Sequence, residues 1–237
     1  LVTGGGKGIG GAISLALAAE GADVAINYRS DVGLAEQTAE QIRALGRRAV
    51  LVPADVTDPD ATEAMVASAV DQLGPIRLLV NNAAYTRMIP PDEMTLKMWR
   101  RILGANLDAV FHITWLVKDV MRAAGGGAIV NISSTESTHP NANMVAYGTS
   151  KAGVNAFTAA ASLALLPHNI RINAVAPGFT RTPRVDTVAP DVQARLLEKV
   201  PIGRMAESGE VAAAVCFLLS DEASYITGQT LPVSGGP

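Results

Sequence analysis

The chain has 237 residues, 49% of them hydrophobic and 17% charged, with a formal net charge of −3. This is enough apolar material for one substantial core and too much for a disordered chain. The weak charge, with no basic cluster, removes the electrostatic basis for nucleic-acid binding, and no stretch reaches the ~18 apolar residues of a membrane span.

Leu1-Val2 is an apolar stub ahead of Thr3-Gly4-Gly5-Gly6-Lys7-Gly8-Ile9-Gly10, and residues 12–18 then read as a helix. A strand, a glycine turn and a helix N-terminus make an anion site. Backbone N–H groups point outward there, and glycine lets a phosphate approach closely. Residues 23–28 read as the next strand, which puts the glycines inside a βαβ unit. Residues 49–52, 76–80, 128–132 and 170–175 read as further strands. Thr57-Asp58-Pro59 caps a helix that Gly74 stops, and residues 145–166 form a long helix ended by Pro167. Strand-like and helix-like segments alternate throughout, without repeat or linker. The expectation is an α/β fold: a doubly wound parallel sheet with helices on both faces, one domain over 1–237. In such sheets ligands sit beyond the C-terminal ends of the strands, where the distinctive motifs fall.

Tyr147 and Lys151 stand four residues apart, and Ser134 precedes the tyrosine by thirteen. Positions i and i+4 share a helix face. A fixed ammonium beside a phenol lowers its pKa from ~10, which suits it to exchange a proton with an alkoxide. Ser134 follows the strand at 128–132 and can donate to a substrate oxygen as charge builds there; Ser133 is its rival. Cys216 lies in an apolar run and reads as a packed thiol. His112, His139 and His168 show no zinc spacing, so no metal is expected. The chain thus supplies no redox group, and a hydride must come from a bound cofactor. With one cysteine, no disulfide within the chain and no visible leader, a cytoplasmic location is expected.

In order along the chain, the TGxxxGxG turn, Asp55-Val56, Asn81-Asn82-Ala83, Asn106, Ser134, Tyr147 with Lys151, and Pro177-Gly178 resemble the motifs of the compact short-chain dehydrogenase/reductases. The 3-oxoacyl carrier-protein reductases and related carbonyl reductases are the most similar branch. The resemblance implies a Rossmann-like fold and a nicotinamide coenzyme. Tyr147 would be the general acid or base. Lys151 would hold the ribose hydroxyls, and Asn106 would hold a water in a proton relay at a backbone bulge. Gly4, Lys7, Gly8, Ile9 and Gly10 would bind the coenzyme. Asp55 and Val56 would flank the adenine, and Asn82, Ala83 and Ala84 its ribose, with Ala84 where glycine is usual. Pro177 and Gly178 would underlie the nicotinamide, with Thr180 and Thr182 near its carboxamide and phosphates. The family's first strand normally has several more residues, implying a start upstream of Leu1. Ser234 stands where aspartate is common.

NAD-selective folds place an acid ~20 residues beyond the glycines. Here the second strand ends in Tyr28-Arg29-Ser30, and Arg29 with Lys7 can grip a 2′-phosphate, so NADP(H) is expected over NAD(H). Asp31 lies close enough to pair with Arg29 and blunt that preference. The partners expected are a small carbonyl or alcohol substrate and further copies of the chain in a homotetramer, with no nucleic acid and no membrane. Residues 85–91 and 181–200 should wall the substrate site. Two alternatives remain: a 3-oxoacyl carrier-protein reductase, although Gly125 and His168 stand where that branch often has arginine, and a dinucleotide-binding module without turnover.

Overall fold

The structure, a computed structural model, describes residues 1–236. Its strands are β1 (Val24–Tyr28), β2 (Ala49–Pro53), β3 (Leu78–Asn81), β4 (Gly127–Ile132), β5 (Ile170–Pro177) and β6 (Thr230–Val233). All pair in parallel, β2 with β1 and then β3-β4-β5-β6 in order. Val2 joins the two sets, bridging Ile26 of β1 on one side and Val80 of β3 on the other. The strand order reverses at this residue, so the crevice that opens beyond it is the topological switch point of the sheet.

The helices are α1 (Gly8–Ala19), α2 (Val32–Ala44), α3 (Pro59–Leu73), α4 (Leu96–Leu103), α5 (Ala109–Ala123), α6 (Val145–Leu165), α7 (Pro190–Leu197) and α8 (Ser208–Leu219). Successive strand residues point to opposite faces, and here both faces are covered. Val80 and Val130 pack with Ile13, Ile42 and Val215 from α1, α2 and α8. Their neighbours Leu79 and Ile129 pack with Met65, Val117 and Leu165 from α3, α5 and α6. That double burial is why these strands read as unbroken apolar runs.

The helix ends follow local chemistry. Asp58 accepts from the Ala61 amide at 3.2 Å, Pro59 opens α3 where its missing N–H costs nothing, and Gly74 closes it at φ 89°. Helix α6 ends at Leu165, and Pro167 sits in the following 3-10 turn. Helices α4 and α5 are joined by a π turn over Gly104–Asp108. Strand β6 lay outside the sequence expectations. Its Pro232 argues against a strand, yet among the described residues β6 pairs with β5 alone, at the sheet edge, where proline is tolerated.

Candidate active site

The glycine turn is held by polar side chains from both halves of the sheet. The Thr3 hydroxyl accepts from the Asn82 and Ala83 amides at 2.9 and 3.0 Å. The Asn82 side chain donates to the Thr3 and Gly4 carbonyls at 2.9 and 3.1 Å. Asn27 accepts from the Gly4 amide at 3.1 Å and donates to Val52 and Ala54 carbonyls. Gly4 and Gly8 take φ of 60° and 55°, which a side chain would strain. A Cβ on Gly10 would overlap the Gly4 carbonyl oxygen, so α1 can close on the turn only with glycine there.

A cleft of about 560 Å³ opens above this turn. Of the expected coenzyme residues, Gly4, Lys7, Gly8, Tyr28, Arg29, Ser30, Val56, Asn82, Ala83, Ala84 and Thr182 line it. The others, Tyr147 and Lys151 included, do not line it. Ile9 packs on the core, and Gly10 faces the turn. Pro177 ends β5, the Gly178 amide donates to Val233, and the buried Thr180 hydroxyl donates to the Gly178 carbonyl at 3.0 Å. Asp55 accepts from the Thr57 amide and hydroxyl at 3.0 and 2.7 Å. The charges pair differently from the expectation. Asp31 bonds Lys7 at 2.8 Å, and Arg29 turns to Asp55 at 3.7 Å.

Ser134 stands two residues past the end of β4, half-buried, its hydroxyl accepting from the Glu136 amide at 3.2 Å. Ser133 is buried, and its hydroxyl donates to the Lys151 carbonyl. It therefore fastens α6 and leaves Ser134 as the serine that faces Tyr147. The Tyr147 phenol has the neighbouring Ser134 hydroxyl pulling its pKa down, Glu136 pushing it up and Arg184 pulling it down, but burial outweighs these and raises it above its ordinary value. Sequence alone pointed to a lowered phenol beside Lys151. Instead the Lys151 ammonium lies 5.8 Å from the ring centroid and donates to the Ile132 carbonyl at 2.7 Å. Burial lowers its own pKa to about 8.

Asn106 is fully buried in the π turn. Its amide grips Tyr85 twice, accepting from the backbone N–H at 2.7 Å and donating to the carbonyl at 3.0 Å. It also donates to the Ser150 hydroxyl at 3.1 Å, and Ser150 donates to the Tyr147 carbonyl at 2.7 Å. The sequence points to Thr3 only as part of the glycine motif and to Asn27 only as a neutral donor beside Arg29; that both brace the turn is seen only in the structure. Arg184 had no signal beyond lying in the expected wall, yet its guanidinium crosses the cleft to the Thr86 carbonyl at 2.6 Å. Cys216 is half-buried against the core, and burial raises its thiol pKa. Among the described residues no helix is long and apolar enough to cross a membrane, and no group of three His, Cys, Asp or Glu is clustered for a metal.

A doubly wound parallel sheet with a glycine-floored cleft at its switch point, and with Ser134, Tyr147 and Lys151 grouped beyond the end of β4 outside the cleft's own lining, is the architecture of an NAD(P)-dependent oxidoreductase. A family model described as enoyl-(acyl carrier protein) reductase matches residues 4–237. A 3-oxoacyl-[acyl-carrier-protein] reductase of Staphylococcus aureus is 38% identical over 100% of this chain and 96% of its own length. A cis-4-hydroxycyclohexanecarboxylate dehydrogenase of Sinomonas cyclohexanicum is 39% identical over 100% of this chain and 94% of its own. The solved structure of a 7α-hydroxysteroid dehydrogenase, complexed with NADH and 7-oxo glycochenodeoxycholic acid, superposes with a TM-score of 0.93. It is 32% identical, covering 99% of this chain and 92% of that one. The chain belongs to the short-chain dehydrogenase/reductase family.

Proposed function

We propose that the protein moves a hydride between NADP(H) and a small or medium carbonyl compound or its secondary alcohol, in the cytoplasm. The observation that supports this is the convergence of Ser134, Tyr147 and the buried Lys151 beyond the end of β4, beside the glycine-floored cleft. The cleft fits a dinucleotide. A Cβ on Gly8 would stand 3.7 Å from Thr182, so the bare glycine keeps the passage between turn and loop open. When bound, the coenzyme gives or takes the hydride. The Ser134 hydroxyl donates to the carbonyl oxygen, and the Tyr147 phenol delivers its proton to that oxygen as it becomes an alkoxide. In oxidation the proton returns to Tyr147. Lys151 would hold the ribose hydroxyls of the bound coenzyme. Asn106 is a positioning residue, through Ser150 and Tyr85.

The test is Tyr147→Phe. It should lower kcat at least ~10²-fold with coenzyme affinity unchanged, since acid–base terms run ~10²–10⁴-fold. A variant keeping a tenth of the wild-type kcat would sink the assignment.

NADP(H) is favoured because Tyr28 occupies the place of the NAD-selective acid, with Arg29, Ser30 and Lys7 lining the same end of the cleft. Both cations already have carboxylate partners, Lys7 in Asp31 and Arg29 in Asp55, which a 2′-phosphate must displace. The preference is therefore graded. Arg29→Ala should erode the NADP-over-NAD ratio of kcat/KM; an unchanged ratio refutes it. A second reading, a 3-oxoacyl carrier-protein reductase, rests on the Staphylococcus aureus relative of that name. A homotetramer is supported by the outer face of α6, where Ala152, Ala156, Ala159, Ala160 and Leu163 are all exposed.

A further inference from the structure

Three cations line the cleft: Lys7, Arg29 and Arg184. The first two are ion-paired, to Asp31 at 2.8 Å and Asp55 at 3.7 Å. Arg184 differs. Among the described residues no carboxylate lies within 4.0 Å of it, although its loop neighbour Arg181 has Glu207 at 3.0 Å. Its recorded bond is the one from Nη2 to the Thr86 carbonyl at 2.6 Å, and a guanidinium carries five donors in a planar fork. The fork matches a carboxylate in geometry and charge.

Its place decides which anion it meets. Arg184 belongs to the segment 181–200, ahead of α7, and Thr86 to the segment 85–91, the two expected walls of the substrate site. Its charge also reaches Tyr147, where it favours the phenolate. Glu136 acts on the same phenol with the opposite sign, and its carboxylate is held by the Asn141 amide at 2.9 Å. The mouth of the site is therefore cationic on the Arg184 side and acidic on the Glu136 side.

Building on the reductase reading, we infer that Arg184 recognises a carboxylate carried by the carbonyl substrate, making oxo acids and hydroxy acids the preferred substrate class. The carboxylate takes up guanidinium donors that Thr86 leaves free and so sits away from Glu136. A neutral ketone of the same size enters the site without this pairing.

The experiment measures kcat/KM for 4-oxocyclohexanecarboxylate and 4-oxopentanoate, each beside its methyl ester. It uses the full chain as wild type, Arg184→Met and Arg184→Lys. Coenzyme affinity is read in parallel from NADPH fluorescence. In the wild type the acid should exceed its ester. Arg184→Met should lower kcat/KM for the acids about 10- to 100-fold more than for their esters, with the difference lying mainly in KM. Arg184→Lys should restore part of the loss. Equal efficiency on acid and ester in the wild type overturns the inference while leaving the reductase reading standing. So does an Arg184→Met loss shared equally by both, which would make Arg184 a tie between two loops. A loss confined to NADPH affinity overturns it too, by assigning the guanidinium to a coenzyme phosphate. Failure of every ketone in the wild type defeats the reductase reading and this inference with it.

Discussion

Lys151 is an ammonium with almost no solvent and a carbonyl for its partner. Its depressed pKa, about 8 against an ordinary 10.5, has a consequence for stability. Between those two values the unfolded chain holds the proton and the folded chain does not, so stability rises with pH across that window. Below it, the charge is buried at a cost. Lys151→Met should therefore be more stable than wild type at pH 7, and the gap should narrow by about 2–3 kcal/mol by pH 10. Urea midpoints of both proteins at the two pH values test this; a gap that ignores pH would contradict it. The catalytic candidates were legible because i,i+4 placement and the distance to Ser134 are local properties of the chain. The direction of the Tyr147 shift was not. It depends on how deeply the ring is buried, and burial is set by α4 and the loop at 85–91, far away in sequence. Arg184 was hidden for the same reason: its partner Thr86 is 98 residues distant.

At the scale of elements, the junction of the glycine turn with α1 is the tightest joint near the cleft. A Cβ on Gly10 would come within 2.5 Å of the Asn82 side-chain nitrogen as well as overlapping the Gly4 carbonyl. Gly10→Ala should cost about 1–3 kcal/mol, seen as a fall in Tm of roughly 2–4 °C per kcal/mol, and should weaken coenzyme binding. Gly33→Ala is the control. Nothing lies within 4 Å of its Cβ and it sits in α2, so it should be neutral or slightly stabilising. Similar melting of the two variants would discredit the packing argument. Elements with buried apolar runs or firm caps were read from sequence to within about two residues, as β4 and α3 illustrate. The π turn was not predicted from the residues themselves, because Gly104–Asp108 carries a helical pattern and the extra residue is absorbed by contacts with Tyr85 and Ser150. Strand β6 was missed because its partner among the described residues is β5, whose paired residues lie 56 positions earlier in the chain.

For the whole molecule, the outer surface of α5 and α6 is the feature a lone copy leaves unexplained. Phe111 and Trp115 stack at 5.0 Å with Phe157 beside both, Phe111 is 47% exposed, and Leu163 is 74% exposed. An apolar face of this kind supports the proposed assembly. Light scattering at micromolar concentration should give the mass of the proposed tetramer, and Leu163→Arg should reduce it. A monomeric wild type would refute the assembly. The alternation of strands and helices made the layered architecture readable from the sequence. The number of copies is not written in that alternation, because it depends on which helix faces a second chain covers.

The grip of Asn106 fastens the two proposed walls of the site unequally. One wall begins at Tyr85, whose backbone is clamped to the amide that also steadies the first turn of α6. A change there is transmitted to the helix of Tyr147. The opposite wall hangs from Thr180 and Ala206 and touches its counterpart through Arg184. Substitutions within residues 185–197 should therefore alter substrate preference with less damage to the helix of Tyr147 than substitutions at Tyr85.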